Sequence, residues 1–144
     1  MPRTVTQAVT LPRSPARLYA MYVSPREHAA ITGSPVTIAG RTGAPFAAFG
    51  GTLTGRILQV IPNRLIVQSW RSTRFSKHDL DSTLILSFWP DPAGGRIELT
   101  HVNVADEDYA GVSEGWSKYY WVPWRAYLER SPPPKAIRAR GYTR

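Results

Sequence analysis

Two polar residues that could carry chemistry stand among the apolar residues of predicted strands. Gln68 lies between Ile66 and Trp70 in the segment RLIVQSWRS, and His101 follows Leu99 in RIELTHVNV. Alternate residues of a strand share a face, so both polar side chains point the same way as apolar neighbours. A histidine there can be an acid/base group or a hydrogen-bond partner for a ligand. It can also be a buried neutral side chain that a hydroxyl or backbone group satisfies. The sequence leaves both readings open for His101 and Gln68.

Other catalytic and metal-binding patterns are missing from the sequence. The three histidines, His28, His78 and His101, are far apart, no HxxxH spacing occurs, and there is no cysteine. No GxSxG, GxGxxG or P-loop motif occurs either. We therefore predict no metal and no cofactor, and we assign no catalytic residue, with His101 as the sole candidate.

An aromatic segment near the C-terminus, GWSKYYWVPWRAYLE (Gly115–Glu129), holds three of the five Trp and three of the seven Tyr. Its length and spacing predict a helix that begins near Ser113. Pro123 inside it lacks an N–H for the preceding turn, which predicts a kink. Trp116 and Tyr120 either pack against the sheet or line a pocket, and the sequence does not decide between these.

The elements that must position these residues form a simple order. A strand over Thr4–Leu11 precedes two short helices that each start at Ser-Pro, six strand segments with short connections, and the aromatic helix. This order predicts an α+β fold, in which a curled antiparallel sheet (β-α-α-β6-α) wraps around a long C-terminal helix. Such a sheet encloses a wedge-shaped space suited to a ligand. The predicted ligand-binding residues are Gln68, Trp70, Leu86, Phe88, Leu99, His101, Trp116, Tyr120 and Trp124.

Composition limits the classes of partner. The chain has 144 residues and a net charge of +8, but much of the excess lies in a Pro-rich basic tail. We expect one domain over residues 1–130 and a tail over 131–144. Basic residues in the domain are scattered, so we expect no nucleic-acid groove, and no apolar run is long enough for a membrane span. The absence of cysteine and of a secretory signal favours the cytoplasm, and exposed sheet edges favour a homodimer.

Four segments together resemble one protein family, the homologues of the activator of the heat-shock protein 90 ATPase (AHSA-type), within the SRPBCC or START-like superfamily. The segments are SPARLYAMYVSPREHAAIT, GGTLTGRILQVIPNRLIVQSWR, GGRIELTHVNV and GWSKYYWVPWRAYLE. The resemblance implies the helix-grip fold over nearly the whole domain. It also departs from the family pattern at HAAI after the second Ser-Pro, where relatives often carry a Trp.

Three functions are compatible with these features. The first is a module that binds a small apolar or aromatic ligand between sheet and helix. The second, implied by the resemblance, is a protein-interaction domain such as a chaperone-ATPase activator. The third is a cyclase- or hydrolase-type enzyme that uses His101. Fold resemblance alone does not choose among them.

Overall fold

The computed structural model describes residues 1–130, and the predicted basic tail lies outside the described residues. Within these described residues, seven strands and four α-helices follow one another. The elements are β1 Arg3–Leu11, α1 Pro15–Val23, α2 Pro25–Thr32, β2 Val36–Thr37, β3 Pro45–Ala48, β4 Leu53–Ile61, β5 Leu65–Ser72, β6 Ser82–Asp91, β7 Gly94–Val104, α3 Tyr109–Trp116 and α4 Val122–Arg130.

The strands form one antiparallel sheet in the order β1-β7-β6-β5-β4-β3-β2. The sheet is open, and the long C-terminal helix packs against it, which confirms the predicted α+β fold class. The first of the six predicted strand segments is PVTIAG, and the structure forms a strand only over Val36–Thr37 of it. Its partner β3 has only four residues and begins at Pro45, which has no N–H for the ladder.

The two short helices begin as the Ser-Pro pairs predict. The Ser14 side chain accepts a hydrogen bond from the Arg17 backbone N–H at 3.2 Å, and Ser24 does the same for Glu27 at 3.2 Å. Each proline occupies the first helical turn, where its missing N–H costs nothing. Gly33 ends α2 with φ of 79°, in the left-handed region that suits glycine.

One face of the sheet builds the core under the C-terminal helix. The alternation of apolar residues in β5, β6 and β7 predicts that nine residues face inward. The structure buries all nine, whereas none of their outward neighbours, such as Arg96 and Thr100, is buried. The predicted inner face is therefore confirmed. The nine residues are Ile66, Gln68, Trp70, Leu84, Leu86, Phe88, Ile97, Leu99 and His101.

The C-terminal helix begins earlier than predicted. A 3-10 turn over Asp106–Asp108 leads directly into α3, so the first helical residue is Tyr109 and not a residue near Ser113. The Tyr109 backbone N–H donates to the Asp106 carbonyl, and that turn provides the costly first turn from which the helix continues. The segment that reads as an acidic loop is therefore the start of the helix.

A π-helical turn, Ser117–Trp121, interrupts the C-terminal helix between α3 and α4. The Val122 backbone N–H donates to the Ser117 carbonyl, five residues back. Pro123 follows at once, and its missing N–H cannot make the α-helical bond to Tyr119. The irregularity therefore lies where the sequence predicts a disturbed turn, while a bend of the helix axis stays a prediction.

Within residues 1–130, no helix combines the length and the apolar character that crossing a bilayer would require.

Candidate functional site

His101 stands at the centre of a four-residue hydrogen-bond chain. The Ser82 hydroxyl donates to the Trp70 carbonyl oxygen at 2.6 Å and also lies 2.8 Å from His101 Nε2. A hydroxyl has one hydrogen, so Nε2 carries the proton and donates to Ser82 Oγ. On the other side of the ring, Trp116 Nε1–H donates to His101 Nδ1 at 3.1 Å. The chain thus links the aromatic helix to β5, β6 and β7.

The environment of His101 keeps its imidazole neutral. The side chain is fully buried, and burial lowers the pKa of His101 from 6.5 to about 4. Both ring nitrogens are committed to protein groups, Ser82 and Trp116. A proton added at Nδ1 would face the Trp116 N–H, donor against donor. These contacts agree with the second interpretation given for His101 from the sequence, a buried neutral histidine whose ring nitrogens are bonded to protein groups.

A second buried histidine, His28, escaped the sequence interpretation as a site residue. His28 Nδ1 lies 2.7 Å from the Tyr22 carbonyl oxygen, which can only accept, so Nδ1 carries the proton. The other nitrogen, Nε2, then accepts from the Tyr120 hydroxyl at 2.8 Å. Burial lowers the pKa of His28 to about 4. The available signal was its spacing of three from Ile31, which puts both on the buried face of α2.

The Gln68 side chain is only half satisfied. Its Oε1 accepts from the Tyr22 hydroxyl at 2.7 Å, whereas its Nε2 has no hydrogen-bond partner although the residue is fully buried. Trp124 Nε1 is the other buried side-chain atom without a partner in residues 1–130. Most buried polar groups in proteins are paired, so each of these two needs an explanation.

A cleft of about 460 Å³ opens between α3, the end of β5 and the loop before β4. Aromatic side chains supply much of its wall. Trp70 and Phe75 lie on the sheet side, Trp116 and Tyr120 on the helix side, and Phe49 on the loop. Trp70 and Phe75 pack with ring centroids 5.9 Å apart, and Trp116 and Tyr120 with centroids 4.8 Å apart. The space suits a flat apolar molecule.

Charged side chains line the mouth of this cleft. Arg74 stands on the sheet side, and Glu107 and Asp108 stand at the start of the C-terminal helix. Partial burial, the Glu107 carboxylate and the Asp79 carboxylate raise the pKa of Asp108, and Arg74 opposes them. The mouth is therefore polar, while the interior is aromatic.

The structure brings three of the nine predicted ligand-binding residues to the cleft: Trp70, Trp116 and Tyr120. The other six are buried in the core and do not line it. These six are Gln68, Leu86, Phe88, Leu99, His101 and Trp124. Several lining residues, such as Phe49, Phe75 and Arg74, were missed because they lie outside the regular strands, where alternation gives no direction.

The fold defines a class: an open antiparallel sheet that packs against a long C-terminal helix, as in SRPBCC-type domains. The chain belongs to the family described as Activator of Hsp90 ATPase homolog 1-like protein, whose model matches residues 12–129. This confirms the resemblance read from the four sequence segments.

Named relatives agree with this family. An activator of 90 kDa heat shock protein ATPase homolog from Dictyostelium discoideum is 26% identical over 106 residues, which is 73% of this chain and 27% of that protein. A crystal structure of an HSP90 activator from Plasmodium falciparum superposes with a TM-score of 0.75 at 18% identity, over 90% of this chain and 96% of that one. The Aha1 dimer from Colwellia psychrerythraea gives 0.75 at 14% identity, over 88% and 96%. The chain thus spans about a quarter of the curated relative's length.

Proposed function

We propose that this domain binds a small apolar or aromatic molecule in the cleft between α3 and the end of β5. The observation that carries the proposal is the cleft itself, about 460 Å³ in volume and walled by Trp70, Phe75, Trp116 and Tyr120. Ligand pockets commonly enclose about 300–1,000 Å³ and are mostly apolar with a few polar groups. The charged mouth keeps such a site open to water while the interior favours flat rings.

Two hydrogen bonds hold the helix-side wall of the cleft in place. Trp116 is fixed by its bond to His101, and Tyr120 by its bond to His28. Because the polar atom of each side chain is turned to the protein, the ring surfaces remain for the ligand. A site whose walls are fixed before binding loses less entropy on binding. The two buried histidines therefore act in this proposal as positioning residues.

A larger side chain at Gly111 would fill the cleft without disturbing the core. It lies on α3 at the cleft wall, and a Cβ built on it meets no atom within 4 Å. Gly111→Leu therefore fills open space and leaves the core untouched, and leucine is a better helix former than glycine. Glu114→Leu is the matched control, because Glu114 is an exposed residue of the same helix away from the cleft lining.

The test is a fluorescence titration with the neutral probe N-phenyl-1-naphthylamine. The proposal expects saturable binding to the unaltered protein and to Glu114→Leu. With Gly111→Leu, affinity should fall about 5-fold to 150-fold, since a steric cost of about 1–3 kcal/mol corresponds to these factors. No saturable binding to the unaltered protein, or equal binding to both leucine variants, would refute the cleft as a ligand site.

The family membership favours a second candidate, a chaperone-activator-like interaction domain. The observation behind it is the match to the Hsp90-activator family over residues 12–129. Its test is the ATP hydrolysis rate of an Hsp90 chaperone with and without this protein. A concentration-dependent increase supports the candidate, and an unchanged rate at saturating protein counts against it. The enzyme reading built on His101 has no such support, because both ring nitrogens are already bonded.

Self-association and location belong to the proposal as well. The Aha1 dimer from Colwellia psychrerythraea, with a TM-score of 0.75, makes a homodimer the assembly to look for. Sedimentation velocity over a concentration series tests it, and a single monomer peak throughout would exclude it. A cytoplasmic location accords with the absence of cysteine.

A further inference from the structure

The side-chain amide nitrogen of Gln68 is buried and has no hydrogen-bond partner. The residue has no exposed surface, its Oε1 is occupied by the Tyr22 hydroxyl, and its Nε2 donates to nothing. Leaving a buried donor unpaired is costly in free energy. Exchanging the two ends of the amide would leave both the amide oxygen and the hydrogen of the Tyr22 hydroxyl without a partner, so the orientation with Nε2 unpaired is the favoured one.

Gln68 lies directly behind the cleft wall. It is two residues from Trp70 on the inner face of β5, a step of about 7 Å along a strand. Tyr22, which holds Gln68, packs against Tyr120 with ring centroids 6.4 Å apart. Trp70 and Tyr120 both line the cleft. The unpaired amide therefore lies behind the rings of Trp70 and Tyr120, further along β5 than the lining residues Trp70 and Ser72.

We propose that the ligand of this cleft carries a neutral carbonyl group, as in a ketone, ester or amide, which reaches past Trp70 and Tyr120 and accepts a hydrogen bond from Gln68 Nε2. This inference rests on the proposed function, since it concerns the same cleft. It adds the chemical class of the ligand: an aromatic or apolar body with an acceptor on its inner end.

The surrounding groups favour a carbonyl over the other acceptors. A carboxylate would be buried without a counter-charge, because His28 and His101 are neutral and the buried Glu27 is itself an anion, paired with Arg17. A ligand hydroxyl could accept from Gln68, but it would bring a hydrogen of its own. The unpaired buried side-chain atoms of residues 1–130 are both nitrogen donors, so that hydrogen would find no unpaired side-chain acceptor. A carbonyl oxygen accepts and adds no donor.

The experiment compares two probes of nearly the same shape, 2-acetylnaphthalene and 2-isopropenylnaphthalene, in which a carbonyl oxygen is exchanged for a methylene group. Binding of each is measured by calorimetry to the unaltered protein and to Gln68→Met. The proposal expects the ratio of ketone to hydrocarbon affinity to fall about 10-fold in Gln68→Met, with the hydrocarbon affinity unchanged. The two probes differ in hydration, but this difference is the same for every protein variant. It therefore cancels when the ketone-to-hydrocarbon affinity ratio of one protein is compared with that of another.

Two further measurements keep the proposal testable if Gln68→Met folds poorly. The double variant Tyr22→Phe/Gln68→Met removes both partners of the buried bond, so it leaves no unpaired hydroxyl. In the unaltered protein, the infrared stretch of ¹³C-carbonyl-labelled 2-acetylnaphthalene should shift to lower frequency than in hexane.

The outcomes separate the two proposals. An equal affinity ratio in all three proteins, or a carbonyl stretch at its hexane position, overturns the carbonyl inference while the cleft proposal stands. Failure of both probes to bind any of the proteins overturns the cleft proposal and the carbonyl inference together.

Discussion

The two buried neutral histidines predict a loss of stability in mild acid. Burial lowers the pKa of His28 and of His101 from 6.5 to about 4 in the folded protein. Because the folded pKa lies below the unfolded one, the folded state keeps its full stability above about pH 6.5. It loses stability progressively as the pH falls from there to about 4. Between those pH values the two histidines bind protons in the unfolded chain but remain neutral in the folded protein.

The size of the effect follows from the same pKa values. Each pH unit in this window costs about 1.4 kcal/mol for each histidine. At about pH 5, each histidine lowers the free energy of unfolding by about 2 kcal/mol relative to about pH 7, and the pair by about 4 kcal/mol. Glu27 acts mainly at lower pH, because its bond to Arg17 lowers its pKa from 4.5. The raised pKa of Asp108 works in the opposite direction.

Urea unfolding at about pH 7 and about pH 5, followed by tryptophan fluorescence, measures this difference. His28→Gln and His101→Gln should each remove about half of it, and the double variant nearly all, whatever the absolute stability of each variant. The comparison is internal to each protein, so a general destabilisation by the substitution does not affect it. A difference below about 1 kcal/mol in the unaltered protein would refute the reasoning.

Three further perturbations test individual contacts. Trp121→Phe loses the 2.7 Å bond to Gln7 Oε1 and should cost about 1–2 kcal/mol in urea unfolding, and an unchanged midpoint would mean that water replaces the indole. Gly55→Ala places a Cβ 1.9 Å from the Ser69 carbonyl oxygen and should cost more than about 2 kcal/mol, so a variant of normal stability would show that β4 and β5 can separate. Glu27→Gln breaks the ion pair with Arg17, whose side chain is 42% exposed. Thermal melts should show a loss of stability of about 1 kcal/mol that becomes smaller in high salt. A loss that does not depend on salt would mean that Glu27 stabilises the fold by packing.

Periodicity in the strands explains why so much of the fold was predictable. In β5, the apolar residues Ile66 and Trp70 flank Gln68 on the inner face. The same alternation places His101 on the inner face of β7. An alternating strand has only two faces, so one apolar run fixes the direction of every side chain in it. The partners along the sheet follow because short connections make neighbours in sequence pair with one another.

The cleft was less predictable, because tertiary contacts between distant segments form it. Phe49 and Phe75 lie outside the strands, where the backbone follows no repeat that assigns a direction. His28 is polar and sits on a short helix, and its burial depends on Tyr120, 92 residues away in sequence. The sequence also could not predict which type of helical irregularity lies near Pro123. A missing N–H predicts a disturbed turn but does not distinguish a kink from a π-helical turn.

The pairing of β1 has a consequence for the order in which the fold is completed. Its ladder partner is β7, and Gln7 on β1 bonds to Trp121, 114 residues later in the chain. Of the seven described strands, β1 is made first on the ribosome, and it has no partner until β7 has been made. The six-strand meander β2–β7 can assemble before it, since each of these strands pairs with its neighbour in sequence. The β1–β7 pairing closes the longest loop in the sheet, so we expect β1 to be the last of the seven described strands to pair.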